Sequence, residues 1–220
     1  MTSAMGAPVA LLGGTFDPVH YGHLRPAIEL LEALNFAEIR LVPGRVPPHR
    51  PQPRQSAATR TRLLSTAVAD IPGLVVDERE LQRPGPSYTL ETLRGLRAEI
   101  GAQRPLCFVM GRDAFRGLEA WHRWHELIDY AHLIVTTRAG DQALLPASLQ
   151  DWLAPRLASE AAVLRDTPAG AVWFQPVSEL AISATSVRQL LAQGRSARGL
   201  MPECVWPLVA ETGLYGYPQI

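Results

Sequence analysis

The chain is 220 residues long, 47% hydrophobic and 19% charged, and its 21 basic and 21 acidic residues cancel to a formal net charge of zero. That balance excludes wholesale disorder and gives no general attraction to nucleic acid or to a membrane surface, so an anion site has to be local. Every basic residue is arginine, and the absence of lysine excludes both a Gly-Lys-Ser/Thr P-loop and Schiff-base chemistry.

In chain order, residues 9–12 (VALL) form the first predicted strand, and GGTFDPVHYGH follows at 13–23. A helix is predicted over 23–34, where Leu24, Ile28, Leu31 and Leu34 recur at helical spacing; Pro26 is tolerable there if it falls in the first turn. A second strand is expected at 38–42. Residues 43–57 then carry too much proline for helix or central strand, so Arg45, His49, Arg50 and Arg54 lie on a loop, either a solvated connection or a phosphate cover. Further helices are expected at 58–69 and 89–100, and further strands at 74–77, 106–110, 133–137 and 172–175. Residues 139–171 read as a variable excursion with a helix around Trp152 broken near Pro155, and residues 1–7 as frayed. One domain is expected over 1–220. Strands alternating with helices make the chain α/β, with a doubly wound, mainly parallel sheet covered by helices on both faces. Ligands of such sheets sit beyond the carboxyl ends of the strands. No apolar run reaches the ~18 residues of a membrane span. The two cysteines, Cys107 and Cys204, show neither metal spacing nor a disulfide framework, which points to a reducing compartment, the cytoplasm.

The stretch after the first strand can bind an anion. Gly13 and Gly14 allow a sharp turn and close approach of a ligand, and the helix that follows offers unpaired N–H groups and a positive dipole end. His20 and His23, three apart in a first turn, project to one side, with Thr15 adding a hydroxyl and Asp17 a turn cap. Zinc is the weaker reading of the pair, since no third and fourth ligands stand at suitable spacing. Near the other end, Ser183 and Thr185 precede VRQLLAQG, where they would cap a helix ending at Gly194, and Arg188 reaches the same helix face as Thr185.

GGTFDPVHYGH together with ISATSVR at 182–188 resembles the paired signatures of the H-x-G-H nucleotidyltransferases. The segments VPPHRPQ, DERELQRPGPSYTLETL, GRDAF with Trp121 after it, and AHLIV are similar to bacterial nicotinate mononucleotide adenylyltransferases. The resemblance implies a Rossmann-like fold and transfer of an adenylyl group from ATP to nicotinate mononucleotide, with Mg2+ carried by ATP phosphates and water. It implies catalytic roles for His20, His23 and Arg188. ATP would meet Gly13, Gly14, Thr15, Phe16, His20, His23, Gly111, Asp113, Arg138, Ser183, Thr185 and Arg188. The pyridine nucleotide would meet His49, Arg50, Tyr88, Thr89 and Trp121. Trp124 is expected to be structural, and His122, His125 and His132 structural or surface residues. No nucleic-acid partner and no protein-held metal are implied. Other phosphorylated acceptors, nicotinamide mononucleotide among them, and a nucleotide-binding regulator without turnover remain open at this point.

Overall fold

The computed structural model describes residues 6–45, 52–137 and 144–219. Six strands, β1 (Val9–Gly14), β2 (Glu38–Pro43), β3 (Leu74–Val76), β4 (Leu106–Gly111), β5 (His132–Thr137) and β6 (Val172–Pro176), form one parallel sheet in the order β3-β2-β1-β4-β5-β6. The chain builds outward from β1 to one edge, crosses back to β4 and builds toward the other, which is the Rossmann-like winding with its switch point between β1 and β4. All six predicted strands are present, with ends moved by one or two residues. Connecting them are α1 (Tyr21–Ala33), α2 (Ala57–Val68), α3 (Arg79–Gln82), α4 (Thr89–Ile100), α5 (Arg112–Arg116), α6 (Leu127–Tyr130), α7 (Ala147–Leu153) and α8 (Val163–Asp166); α9 (Ala184–Ala192) and α10 (Trp206–Thr212) follow the last strand.

Alternation along each strand divides the core between two faces. Ala10, Ile39, Leu41, Cys107, Val109 and Ile134 pack with Leu24, Ala27 and Leu30 of α1, Leu63 and Leu64 of α2, and Val187 and Leu191 of α9. Val9, Leu11, Leu106, Phe108, Met110 and Leu133 pack with Leu90, Leu93 and Leu96 of α4 and Phe115 of α5. Both faces are therefore buried, and the strands read as continuous apolar runs. Cys107 is part of this packing, and burial pushes its thiol ionisation up.

Two local readings change. α1 begins at Tyr21, so Pro26 is its sixth residue and lies inside the helix, beyond the first turn. Its missing N–H leaves the Gly22 carbonyl without a helical donor. The excursion has more structure than its sequence suggested: Leu149 and Leu153 of α7 enter one core cluster and Leu164 of α8 the other. Among the described residues, no helix is long and apolar enough to cross a membrane.

Candidate active site

Gly13 and Gly14 end β1 beside the switch point, and each is glycine for a different reason. A Cβ on Gly13 would meet nothing within 4 Å, whereas one on Gly14 would lie 2.7 Å from the Phe16 ring. Phe16, at φ 48° and only 1% exposed, closes the turn and meets His23 edge to face at 5.0 Å. The ring braces the turn, so a contact of Phe16 with ATP would be made by its backbone.

His20 is the N-cap of α1 and His23 its third residue, and their rings stack at 3.7 Å with 25° between planes. The glycine between them is fixed by crowding. A Cβ on Gly22 would lie 2.9 Å from His20 Nδ1 and 2.9 Å from the Ile182 carbonyl. The two sequence motifs therefore meet at this glycine. His20 is 4% exposed, makes no side-chain cap, and its buried Nδ1 has no hydrogen-bond partner among the described residues. Burial lowers its pKa to about 4, so the imidazole is neutral at pH 7.

Across from it, α9 starts with a capping box: the Ser186 N–H donates to Ser183 Oγ at 3.1 Å and the Ser183 N–H to Ser186 Oγ at 3.2 Å. Ser183 is thus the cap, and Thr185 does something else, accepting from Arg188 Nη2 at 3.2 Å. Gly194, at φ 68°, lies just past the helix end as expected. Arg188 Nη1 donates to the Asp17 carbonyl at 2.7 Å, and its guanidinium stands 4.0 Å from Asp17 Oδ2. Imidazoles from one end of the chain and a guanidinium from the other thus share a neighbourhood.

Two residues that organise this neighbourhood, Arg60 and Tyr215, carry no signal in the sequence, and a third, Asp17, does more than cap a turn. Its carboxylate accepts the N–H groups of Arg54 at 2.6 Å and Gln55 at 3.2 Å and the Tyr215 hydroxyl at 3.0 Å. Arg60, 1% exposed, donates to the Thr15 carbonyl at 2.6 Å and the Gly44 carbonyl at 2.9 Å. These bonds hold the β1 and β2 turns side by side.

A cavity of about 350 Å³ adjoins the glycine turn, lined by Gly13, Gly14 and Thr15 on one side and by Tyr88, Thr89, Asp113, Trp121 and His122 on others. Tyr88 and His122 stack at 4.3 Å and 26°, and Trp121 meets Phe108 edge to face at 6.1 Å. His122, expected as a structural or surface residue, therefore lines the cavity. Trp124 packs against His125 and Trp152, in keeping with a structural role, and His132 is buried within the fold. Glu80 of α3 also reaches the cavity and accepts the Thr92 hydroxyl at 2.7 Å. Gly111 ends β4, and Asp113 lies on the exposed side of the α5 start. His49, Arg50 and Arg138 lie outside the described residues. Among the described residues, no three His, Cys, Asp or Glu side chains are placed to hold a metal ion. What the arrangement can do is hold a phosphate chain against imidazole, guanidinium and backbone donors with an aromatic ring close by.

Residues 11–190 match the family model described as cytidylyltransferase-like. A protein named "Probable nicotinate-nucleotide adenylyltransferase" from Halorhodospira halophila is 53% identical over 212 residues, which cover 96% of this chain and 97% of that one. Its namesake from Aeromonas salmonicida is 47% identical over 209 residues, covering 95% and 97%. A solved Plasmodium falciparum nicotinic acid mononucleotide adenylyltransferase complexed with NaAD shares the fold, with a TM-score of 0.73, 14% identity and coverage of 96% of this chain and 98% of that chain. With near-complete relatives at about half identity and the sheet winding, glycine turn and H-x-G-H element all in place, the chain belongs to the nicotinate-nucleotide adenylyltransferase family.

Proposed function

We propose that the protein transfers the adenylyl group of ATP to nicotinate mononucleotide, giving nicotinate adenine dinucleotide (deamido-NAD) and pyrophosphate in NAD biosynthesis. The observation that carries this reading is the approach of the two motifs at Gly22 and the Ile182 carbonyl, with His20 and His23 stacked on one side and Arg188 bonded to the Asp17 carbonyl on the other, beside an aromatic cavity lined by Gly13–Thr15. A phosphate monoester oxygen of the acceptor attacks the α-phosphorus in line, and the bond to the bridging oxygen breaks as pyrophosphate leaves. With a second pKa near 6, that phosphate is already mostly dianionic at pH 7, so no general base is required. The protein's task is to bring two anions together and to stabilise the departing charge.

His20 and His23 donate to phosphate oxygens near the reacting phosphorus, and the Gly13–Thr15 turn approaches the chain with its backbone. Ser183, Thr185 and Arg188 hold the outer phosphates, the guanidinium oriented by Thr185 and the Asp17 carbonyl. Gly111, Asp113 and Arg138 take the adenosine. Tyr88, Thr89 and Trp121 take the pyridine, with His49 and Arg50 at the acceptor phosphate. Magnesium bound to the ATP phosphates would supply neutralisation of phosphate charge, with no side chain of this protein assigned to hold it. The test is pyrophosphate release with ATP, magnesium and each mononucleotide in turn. Faster release with the nicotinate compound supports the proposal. Equal or faster release with the nicotinamide compound moves the acceptor, and nucleotide binding without release makes the chain a regulator.

A further inference from the structure

Tyr215 joins the site from the far end of the chain. It sits in the short turn Leu214–Gly216, is 9% exposed and holds φ at 60°, a left-handed conformation uncommon for a tyrosine. Such a backbone persists where its surroundings over-determine it. The hydroxyl donates to Asp17 Oδ1 at 3.0 Å across 198 positions of sequence. Burial and the neighbouring carboxylate push its ionisation up, so it stays a neutral donor.

The carboxylate it meets has a choice of partners. Asp17 is buried, with the Arg188 guanidinium within reach, yet their closest approach is 4.0 Å. The short contacts to the carboxylate come instead from neutral groups, the amides of Arg54 and Gln55 and the phenol. Arg60 spends both Nη atoms on the Thr15 and Gly44 carbonyls. Three neutral donors therefore meet the Asp17 carboxylate, and among the described residues the hydrogen bonds of Arg188 go to a carbonyl and a hydroxyl oxygen.

We infer that Tyr215 is a positioning residue for adenylyl transfer: its hydroxyl holds the Asp17 carboxylate on the 54–55 backbone and off Arg188, leaving that guanidinium for the triphosphate. The inference rests on the function proposed above. Without the phenolic proton, Asp17 gains a free acceptor position, and the nearest charge-assisted partner is Arg188, where a full ion pair would compete with phosphate.

Tyr215→Phe keeps the ring and its packing and removes only the hydroxyl. Amide hydrogen exchange in a peptide covering residues 52–56 is expected to quicken about fivefold, with β5 peptides unchanged. The KM for ATP is expected to rise about fivefold or more with kcat within about twofold, the scale of the net contribution of one ordinary hydrogen bond. Unchanged exchange at 52–56, or quicker exchange with an unchanged KM for ATP, overturns the inference. So does quicker exchange everywhere with a lowered melting temperature, which would make Tyr215 merely structural. If the wild-type protein releases no pyrophosphate, the proposed function has failed separately; exchange and the ATP Kd of both proteins then decide on Tyr215, with a Kd weakened by less than about twofold counting against it.

Discussion

Two imidazoles are buried at opposite edges of the same parallel sheet. His132 opens β5 at the amino edge, and both of its nitrogens are engaged: Nδ1 accepts the Ala171 N–H at 3.1 Å, which leaves the proton on Nε2 to be donated to the Thr167 carbonyl at 2.8 Å. His20 follows β1 at the carboxyl edge, equally buried, with Nδ1 lacking a partner among the described residues. Burial lowers the pKa of both. The protein completes one imidazole itself. In the other, Nδ1 is buried without a partner among the described residues, at the end of the sheet where the proposed function places phosphate.

The widest separation between the two edges comes from alanine at each. His23→Ala, beside His20, is expected to lower kcat by a hundredfold or more, about 2.7–4 kcal/mol of transition-state stabilisation, while the melting temperature stays within a few degrees of the wild type. His132→Ala reverses the pattern. It leaves the buried Ala171 N–H without its partner and removes the bond to the Thr167 carbonyl, so about 1–3 kcal/mol of stability is lost while kcat per folded molecule holds. A stable, fully active His23→Ala protein, or a folded but inactive His132→Ala protein, would dissolve the distinction. Arg188→Ala extends the comparison to the partner motif: the KM for ATP should rise about tenfold or more, read from initial rates at saturating acceptor, with stability little changed because the guanidinium is partly exposed.

What the sequence disclosed follows the same division. Strands buried on both faces appear as plain apolar runs, and the residues that the proposed function assigns to phosphate stand in two short contiguous motifs, so both are legible in the sequence. The bonds that bring those motifs together could not. Asp17 and Tyr215 are 198 residues apart, and Arg60 and Arg62 alternate in one helix, where only its register against the core decides that Arg60 is buried and Arg62 exposed. The WHRWHE segment shows the limit most clearly. Arg123 takes φ 51° and breaks the helical course, so no periodicity could tell that His122 would face the cavity and His125 would stack on Trp124.

The smallest effect tests the neutral state of His20. Its folded pKa of about 4 lies below the ordinary value of 6.5, so between these limits the unfolded chain binds the extra proton and the folded one refuses it. Stability must then fall as pH falls through that window and level off below it; at pH 5.5 the loss from this one group is about 1 kcal/mol. His132, lowered in the same direction, adds to the slope. Glu99, held below the usual carboxylate range by hydrogen bonds from Arg79 and Arg40, loses its own contribution only at lower pH. Urea unfolding of the wild type and of His20→Asn at pH 7 and pH 5.5 isolates the His20 share, because asparagine cannot take up the proton. The variant should lose about 1 kcal/mol less on acidification; equal losses would mean that His20 is already charged in the folded protein, and that the contrast with His132 is one of hydrogen bonding alone.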